Sequence, residues 1–163
     1  SLDMINETIA SLRFLNGIDA STWPIIITVD GLQSGHDEND LNRWTEYVKR
    51  LRKEYGQERS NVEVIVASGH RHITGIIKQA MDVVETRFVY IVQHDFPFIK
   101  SIDHGAMVKV MDEYSGLVRL IRFNRRTNIQ WGTNTGACFN KKTAVSEKVH
   151  GIRLTLTPGW SDK

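Results

Sequence analysis

The alternation of β-branched apolar runs with amphipathic helical segments constrains the fold of this chain most strongly. The apolar runs lack the polar alternation of a strand with one solvated face, and their composition is typical of strands covered on both sides in a parallel sheet. Each run ends abruptly at a polar or glycine-containing turn. The sequence therefore predicts four strands, at residues 25–29, 62–67, 88–92 and 117–121.

Between these runs, apolar residues recur every three or four positions, which is the spacing of one helix face. Gly17 and Gly56 stand where two of these segments would end. The spacing predicts helices over residues 4–16, 41–55, 73–84 and 103–114.

The predicted order of elements is α-β-α-β-α-β-α-β. Strands that alternate with helices of this length are joined by right-handed crossovers, which gives a doubly wound, mainly parallel, Rossmann-like α/β sheet. Ligands of such sheets bind beyond the carboxyl ends of the strands. Residues 122–142 are rich in Asn, Arg, Thr and Gly, and we expect a long loop there.

Composition and charge exclude several classes of protein. Lys and Arg number 21 against 19 Asp and Glu, a formal net charge of +2, so a protein that works by neutralising nucleic-acid phosphates is disfavoured. The single Cys138 excludes an internal disulfide and a thiolate zinc finger. No apolar run approaches the length of about 18 residues that a membrane span needs. Membrane association is not visible in this sequence, and the cellular compartment stays open because a targeting or anchor segment could have been removed.

Three polar clusters follow predicted strands, where the fold places a site: Asp30-Gly31, the loop with His70 and Arg71, and His94-Asp95. A carboxylate at the end of a strand, such as Asp30, can accept hydrogen bonds from a ribose or a base. The loop's basic side chains could contact phosphate near a helix N-terminus. The adjacent imidazole and carboxylate of His94 and Asp95 suit a divalent cation that holds a diphosphate.

Each cluster also has a purely structural interpretation. Asp30 could be a turn residue before its glycine, and Asp95 could cap a turn beside an incidental histidine. Arg71 could form an ion pair with a surface carboxylate. No P-loop, no G-x-G-x-x-G after a strand and no G-x-S-x-G elbow occurs, so a bound phosphate would be held by a metal rather than by a glycine loop.

Three segments resemble the GT-A glycosyltransferases. PIIITVDG at 24–31 resembles their uridine-binding strand, HRHITGIIKQAM at 70–81 their basic loop and helix, and VYIVQHDFPF at 89–98 the strand leading to their Asp-x-Asp motif. The resemblance is closest to inverting N-acetylglucosaminyltransferases. It implies one domain over residues 1–163 with a three-layer sandwich fold, and a nucleotide-sugar donor bound through Mn²⁺ or Mg²⁺.

The resemblance also implies roles for single residues. Asp30 and Gly31 would contact the base or ribose, Asp95 would bind the metal, and Asp162 in the final Trp160-Ser161-Asp162 turn would be the catalytic base. The sequence departs from the family at its acidic motif, where Gln93 and His94 replace acids, and His94 could take over metal ligation. The family also begins with a strand before the first helix, so we expect part of the N-terminal strand and of the C-terminal region to be lacking here.

The sequence thus predicts transfer of a sugar from a nucleoside diphosphate sugar, with UDP favoured, to a hydroxyl of a glycan, protein or lipid acceptor. The reaction is expected to be inverting and metal-assisted. Two alternatives stay open: a catalytically silent module that binds a nucleotide or glycan, and a nucleotidyltransferase. No nucleic-acid partner is expected.

Overall fold

The structure, a computed structural model, describes residues 2–19, 21–56, 61–116, 118–121, 123 and 146–155. Within these residues the helices are α1 (Leu2–Ser11), α2 (Glu38–Tyr55), α3 (His72–Met81) and α4 (His104–Glu113), and a short 3-10 turn, Leu12–Phe14, follows α1. The strands are β1 (Leu15–Asn16), β2 (Ile25–Val29), β3 (Val62–Val66), β4 (Ile102–Asp103), β5 (Ser146–Val149) and β6 (Ile152–Thr155). The described residues therefore have a mixed α/β structure of helices and short strands, and the predicted α/β class is confirmed.

The chain divides into two compact units, of which the first comprises residues 1–13 and 18–99. Strands β2 and β3 of this unit pair in parallel, with Ile25 opposite Val62 and Val29 opposite Val66. A further hydrogen bond, from the Ala67 N–H to the Val29 carbonyl at 2.9 Å, extends the pairing beyond β3. The prediction of neighbouring parallel strands in this part of the chain is confirmed.

The core of the first unit forms where α1 and α2 meet these strands. Leu51 and Tyr55 are fully buried with Ile5 and Val62 beside them. Burial of such side chains contributes about 1.5–3 kcal/mol each. The helix that supplies two of them starts at Glu38 because the Asp37 carboxylate accepts the Asp40 N–H at 2.8 Å, which satisfies one of the free amide groups of the first turn.

The second unit comprises residues 14–17 and 100–163. Strands β1 and β4 pair in parallel over two residues each, and α4 follows β4 directly. The Asp103 carboxylate caps α4 by accepting the Ala106 N–H at 2.9 Å. On the inner face of the helix, Met107 and Val110 are buried, as the spacing predicts. Strands β5 and β6 form an antiparallel hairpin.

Two of the predicted strands are not present as strands. Residues 88–92 and the described residues 118–121 have no helix or strand. A β-branched run becomes a strand only when a neighbouring strand accepts its backbone groups. Here Val89 is 45% and Ile91 57% exposed, whereas Phe88, Tyr90 and Val92 are half-buried, so the run is covered on one face at most.

The boundaries of the predicted helices also shift. The first helix ends at Ser11 instead of residue 16, because the chain continues into the 3-10 turn and β1, and Gly17 then turns it with a φ of 88°. The third helix ends at Met81 and buries none of its residues fully. The predicted loop at 122–142 lies outside the described residues except for residue 123. Among the helices of the described residues, none has the length and apolar content needed to cross a membrane.

Candidate functional site

Asp30 lies at the carboxyl end of β2 and connects this strand to the loop that follows β3. Its Oδ1 accepts the backbone N–H of Gly31 at 2.9 Å and that of Arg71 at 2.7 Å. Its Oδ2 lies 2.9 Å from Nδ1 of His70. Asp30 and the 70–71 loop, 41 residues apart in the sequence, are therefore brought together at one edge of the parallel pair.

The environment of Asp30 stabilises its ionised form. Partial burial by itself would raise the pKa of this carboxyl group, but the Arg71 N–H, the charge of His70 and the N–H groups of Gly31 and His72 outweigh it, so the pKa is lower than its ordinary value. These four donors match the roughly four lone-pair sites of a carboxylate. Asp30 therefore fixes the loop in this conformation, and a nucleotide could bind to it directly only by displacing one of the donors.

Gly31 is required because another backbone passes directly beside it. A Cβ atom at this position would lie 2.4 Å from the carbonyl carbon and 2.6 Å from the Cα of Gly69. Real Cβ atoms do not approach backbone atoms so closely, and backbone cannot move aside as a flexible side chain can. The close approach allows the loop after β3 to reach the Asp30 carboxylate.

The side chains of two histidines and one glutamine lie close together beside the contact between Gly31 and Gly69. His70 Nε2 lies 3.1 Å from His72 Nδ1 and 3.1 Å from Gln33 Nε2. The two imidazole rings meet edge to face, with centroids 4.1 Å apart and planes inclined by 69°. With Leu32 and Ser34 these three side chains line an open cavity of about 700 Å³. The cluster is thus accessible to a small polar ligand.

Arg71 is exposed and immediately precedes α3. No hydrogen bond or ion pair of its guanidinium group occurs within the described part of the chain, so the structure gives no support to the surface ion pair considered for it. Its backbone N–H and that of His72 already bind Asp30. A phosphate at the start of α3 would therefore be bound by side chains more than by these two amides.

His94 and Asp95 lie in an exposed turn closed by a hydrogen bond from the Phe96 N–H to the Gln93 carbonyl at 3.0 Å. Two buried hydroxyls of α1 anchor this segment. Thr8 donates to the His94 carbonyl at 2.7 Å, and Ser11 accepts the Phe98 N–H at 2.9 Å. Among the described residues, no hydrogen bond or ion pair links this turn to Asp30.

The predicted metal ligands, His94 and Asp95, are not part of a group of three or more metal-binding side chains in the part of the chain that the structure describes. No group of three His, Cys, Asp or Glu side chains suited to a metal occurs among the described residues. His94 and Asp95 thus offer one nitrogen and one carboxylate, a set that fits only a cation whose other positions are filled by water or substrate oxygens, as is usual for Mg²⁺. Asp162, the predicted base, lies outside the described residues.

Several residues that shape this region carry no signal in the sequence. Gln33 lies in a polar stretch that only indicates a turn, and Thr8 and Ser11 look like ordinary polar residues of a helix. Trp44 lies within the segment 41–55 that the spacing predicts as a helix, and its indole N–H donates to the Asp30 carbonyl at 3.1 Å. All of these contacts join residues far apart in sequence, so no local pattern indicates them.

Comparison of the chain with family models, with curated proteins and with solved structures found no match.

Proposed function

We propose that the chain is a nucleotide-sugar glycosyltransferase with a doubly wound sheet of the GT-A type, to which β2 and β3 belong. One observation carries the proposal. The Asp30 carboxylate stands at the carboxyl end of β2 and binds the loop that follows the adjacent parallel strand. In open α/β sheets this edge is where nucleotides bind.

The cavity next to Asp30 supplies groups for a nucleoside diphosphate. Gln33 and His70 are positioned to hydrogen-bond polar atoms of a base or ribose. The exposed guanidinium group of Arg71 is suited to a phosphate, which it can bind through two parallel N–H groups. Asp30 is the positioning residue, since it holds His70 and the start of α3 in place.

The chemical step needs groups beyond this cavity. A bound Mn²⁺ or Mg²⁺, held by His94 and Asp95 with substrate oxygens, would neutralise the charge that develops on the departing diphosphate. Asp162 would remove the proton of the acceptor hydroxyl as that oxygen attacks the anomeric carbon and the bond to the diphosphate breaks. The product is the glycosylated acceptor, and inversion is expected for a single displacement.

A transfer assay tests this function with UDP- and GDP-sugars, Mn²⁺ and a panel of hydroxyl acceptors. We expect turnover that falls about 100-fold or more in Asp95→Ala and in Asp162→Ala. Asp82→Ala is the matched control, because its carboxylate is exposed and its ion pair with Lys78 spans 3.6 Å at the surface. Turnover unchanged in both site variants would refute the assignment.

A catalytically silent binding module is the second candidate. The observation that favours it is the incomplete donor set at residues 93–95, where Gln93 stands in place of an acid and no third ligand lies among the described residues. Calorimetry with UDP separates the two candidates, because an enzyme site should bind UDP more tightly with Mn²⁺ present. Release of pyrophosphate from a nucleoside triphosphate would instead identify a nucleotidyltransferase.

A further inference from the structure

We infer that His70 and His72 form a binding site for a divalent transition-metal ion such as Zn²⁺. The site is distinct from the pair His94 and Asp95. A metal-bound Nε2 of His70 could not also hydrogen-bond a base or ribose, so metal binding replaces the role of His70 in the proposed function. The first observation is a distance. Two imidazole nitrogens that each bind one ion at 2.0–2.1 Å, with an angle of about 90–110° between the bonds, are about 2.9–3.4 Å apart. His70 Nε2 and His72 Nδ1 are 3.1 Å apart.

The second observation is the carboxylate behind His70. Asp30 Oδ2 lies 2.9 Å from His70 Nδ1. In a neutral ring, a proton on this nitrogen would donate to the carboxylate and leave the lone pair on Nε2, the atom that faces His72. Histidines that bind metals usually donate their other N–H to a carboxylate or a carbonyl, which fixes the ring and increases its basicity. The arrangement of Asp30 and His70 is of this kind.

The third observation is the backbone of His72. This residue has a φ of 57°, in the left-handed region, although it is the first residue of α3. A residue with a Cβ atom adopts this region at a cost of about 1–2 kcal/mol, and such strain is concentrated at functional positions. Here it occurs at the residue whose ring contacts His70.

The charges around the two imidazoles, and their access to solvent, are compatible with a bound cation. The N-terminus of a helix carries a partial positive charge, which disfavours a metal ion. The negative charge of Asp30, bound to the first amides of α3, offsets it. Both imidazoles line the open cavity of about 700 Å³, in which water can complete the coordination. Imidazole pairs prefer Zn²⁺, Cu²⁺ or Ni²⁺ over Mg²⁺.

Calorimetric titration of the metal-free protein with Zn²⁺ tests the inference. We expect one equivalent to bind, and His70→Ala and His72→Ala each to weaken binding about tenfold or more. Asp30→Asn, which keeps both ligands, should weaken it about 10- to 100-fold. His36→Ala is the matched control, because that imidazole lies in the loop before α2 and pairs with Asp40 in the first turn of the helix.

Nitrogen-15 spectra of the histidine rings in the wild-type protein give a second measurement that needs no variant. On addition of Zn²⁺, the signals of His70 Nε2 and His72 Nδ1 should shift together, and those of His36 should not. Absence of Zn²⁺ binding, or binding that survives in the His70→Ala/His72→Ala double variant, would overturn the inference. If Zn²⁺ binding is lost in His94→Ala and unchanged in His70→Ala, the ion binds to His94 and Asp95 and the inference is wrong.

Discussion

The hydroxyl of Thr8 donates a hydrogen bond of 2.7 Å to the backbone carbonyl of His94, 86 residues further along the chain. Thr8 is 7% exposed, in the middle of α1. This contact fixes the turn that carries two of the residues predicted to bind a metal. A buried helix hydroxyl therefore determines where the turn lies.

Removal of this hydroxyl should lower stability. In Thr8→Val the side chain keeps its shape, but the His94 carbonyl loses its donor, so we expect a loss of about 1–2 kcal/mol in the free energy of unfolding. Urea denaturation measures this. The control is Thr45→Val, since the Thr45 hydroxyl binds a carbonyl of its own helix at an exposed position. Equal stability of Thr8→Val and wild type would show that the contact contributes nothing.

Gly31 and Gly69 should respond differently to a methyl group. The Cβ of Gly31→Ala would collide with the Gly69 backbone, so we expect a loss of about 3 kcal/mol or more. A Cβ on Gly69 meets nothing within 4 Å, and Gly69→Ala should change stability by less than about 1 kcal/mol. Thermal unfolding of both variants measures the difference. Similar melting temperatures would contradict the close approach of the two backbones.

The lowered pKa of Asp30 predicts a pH dependence of stability. Because the pKa is lower in the folded state than in the unfolded chain, where it is about 3.9, the stabilisation is fully present above that value. It is lost as the pH falls through the pKa of the folded state. The gap in unfolding free energy between wild type and Asp30→Asn should therefore be smaller below about pH 4 than at about pH 5.

Urea denaturation of both proteins from pH 3 to 7 checks this dependence. Asp82→Asn serves as the control at neutral pH, where loss of its exposed ion pair with Lys78 should cost less than about 0.5 kcal/mol. A gap that widens towards acid pH would show that the sign is wrong.

Trp44 should contribute to the position of Asp30 through its indole N–H. Trp44→Phe removes the donor to the Asp30 carbonyl but keeps an aromatic ring, so we expect a loss of about 1 kcal/mol. Because this bond connects α2 to the end of β2, the amide signals of residues 29–31 should shift in the NMR spectrum of the variant. Signals of the hairpin at 146–155 in the second unit serve as the internal reference, and equal shifts there would contradict a local effect.

Local sequence patterns predicted the four helices, although their ends shift, and the strands β2 and β3. The spacing of Leu51 and Tyr55 places both on one face of α2, and both are buried. Residues 25–29 and 62–66 form a parallel pair, as their β-branched composition predicts. These features follow from local propensity and from periodicity, which are properties of neighbouring residues.

The remaining features depend on contacts between segments that are distant in the sequence. The run at 88–92 has the composition of a strand, yet whether it becomes one depends on backbone groups supplied by another segment, and these residues are not a strand in the structure. The position of Asp30 after a strand indicated a site. The contacts that build this site join residues 14 to 41 positions apart: Asp30 with His70, Arg71 and Trp44, and Gly31 with Gly69. Hydrogen bonds and steric contacts act over a few ångströms in space, and a linear pattern contains no record of which distant residues will meet there.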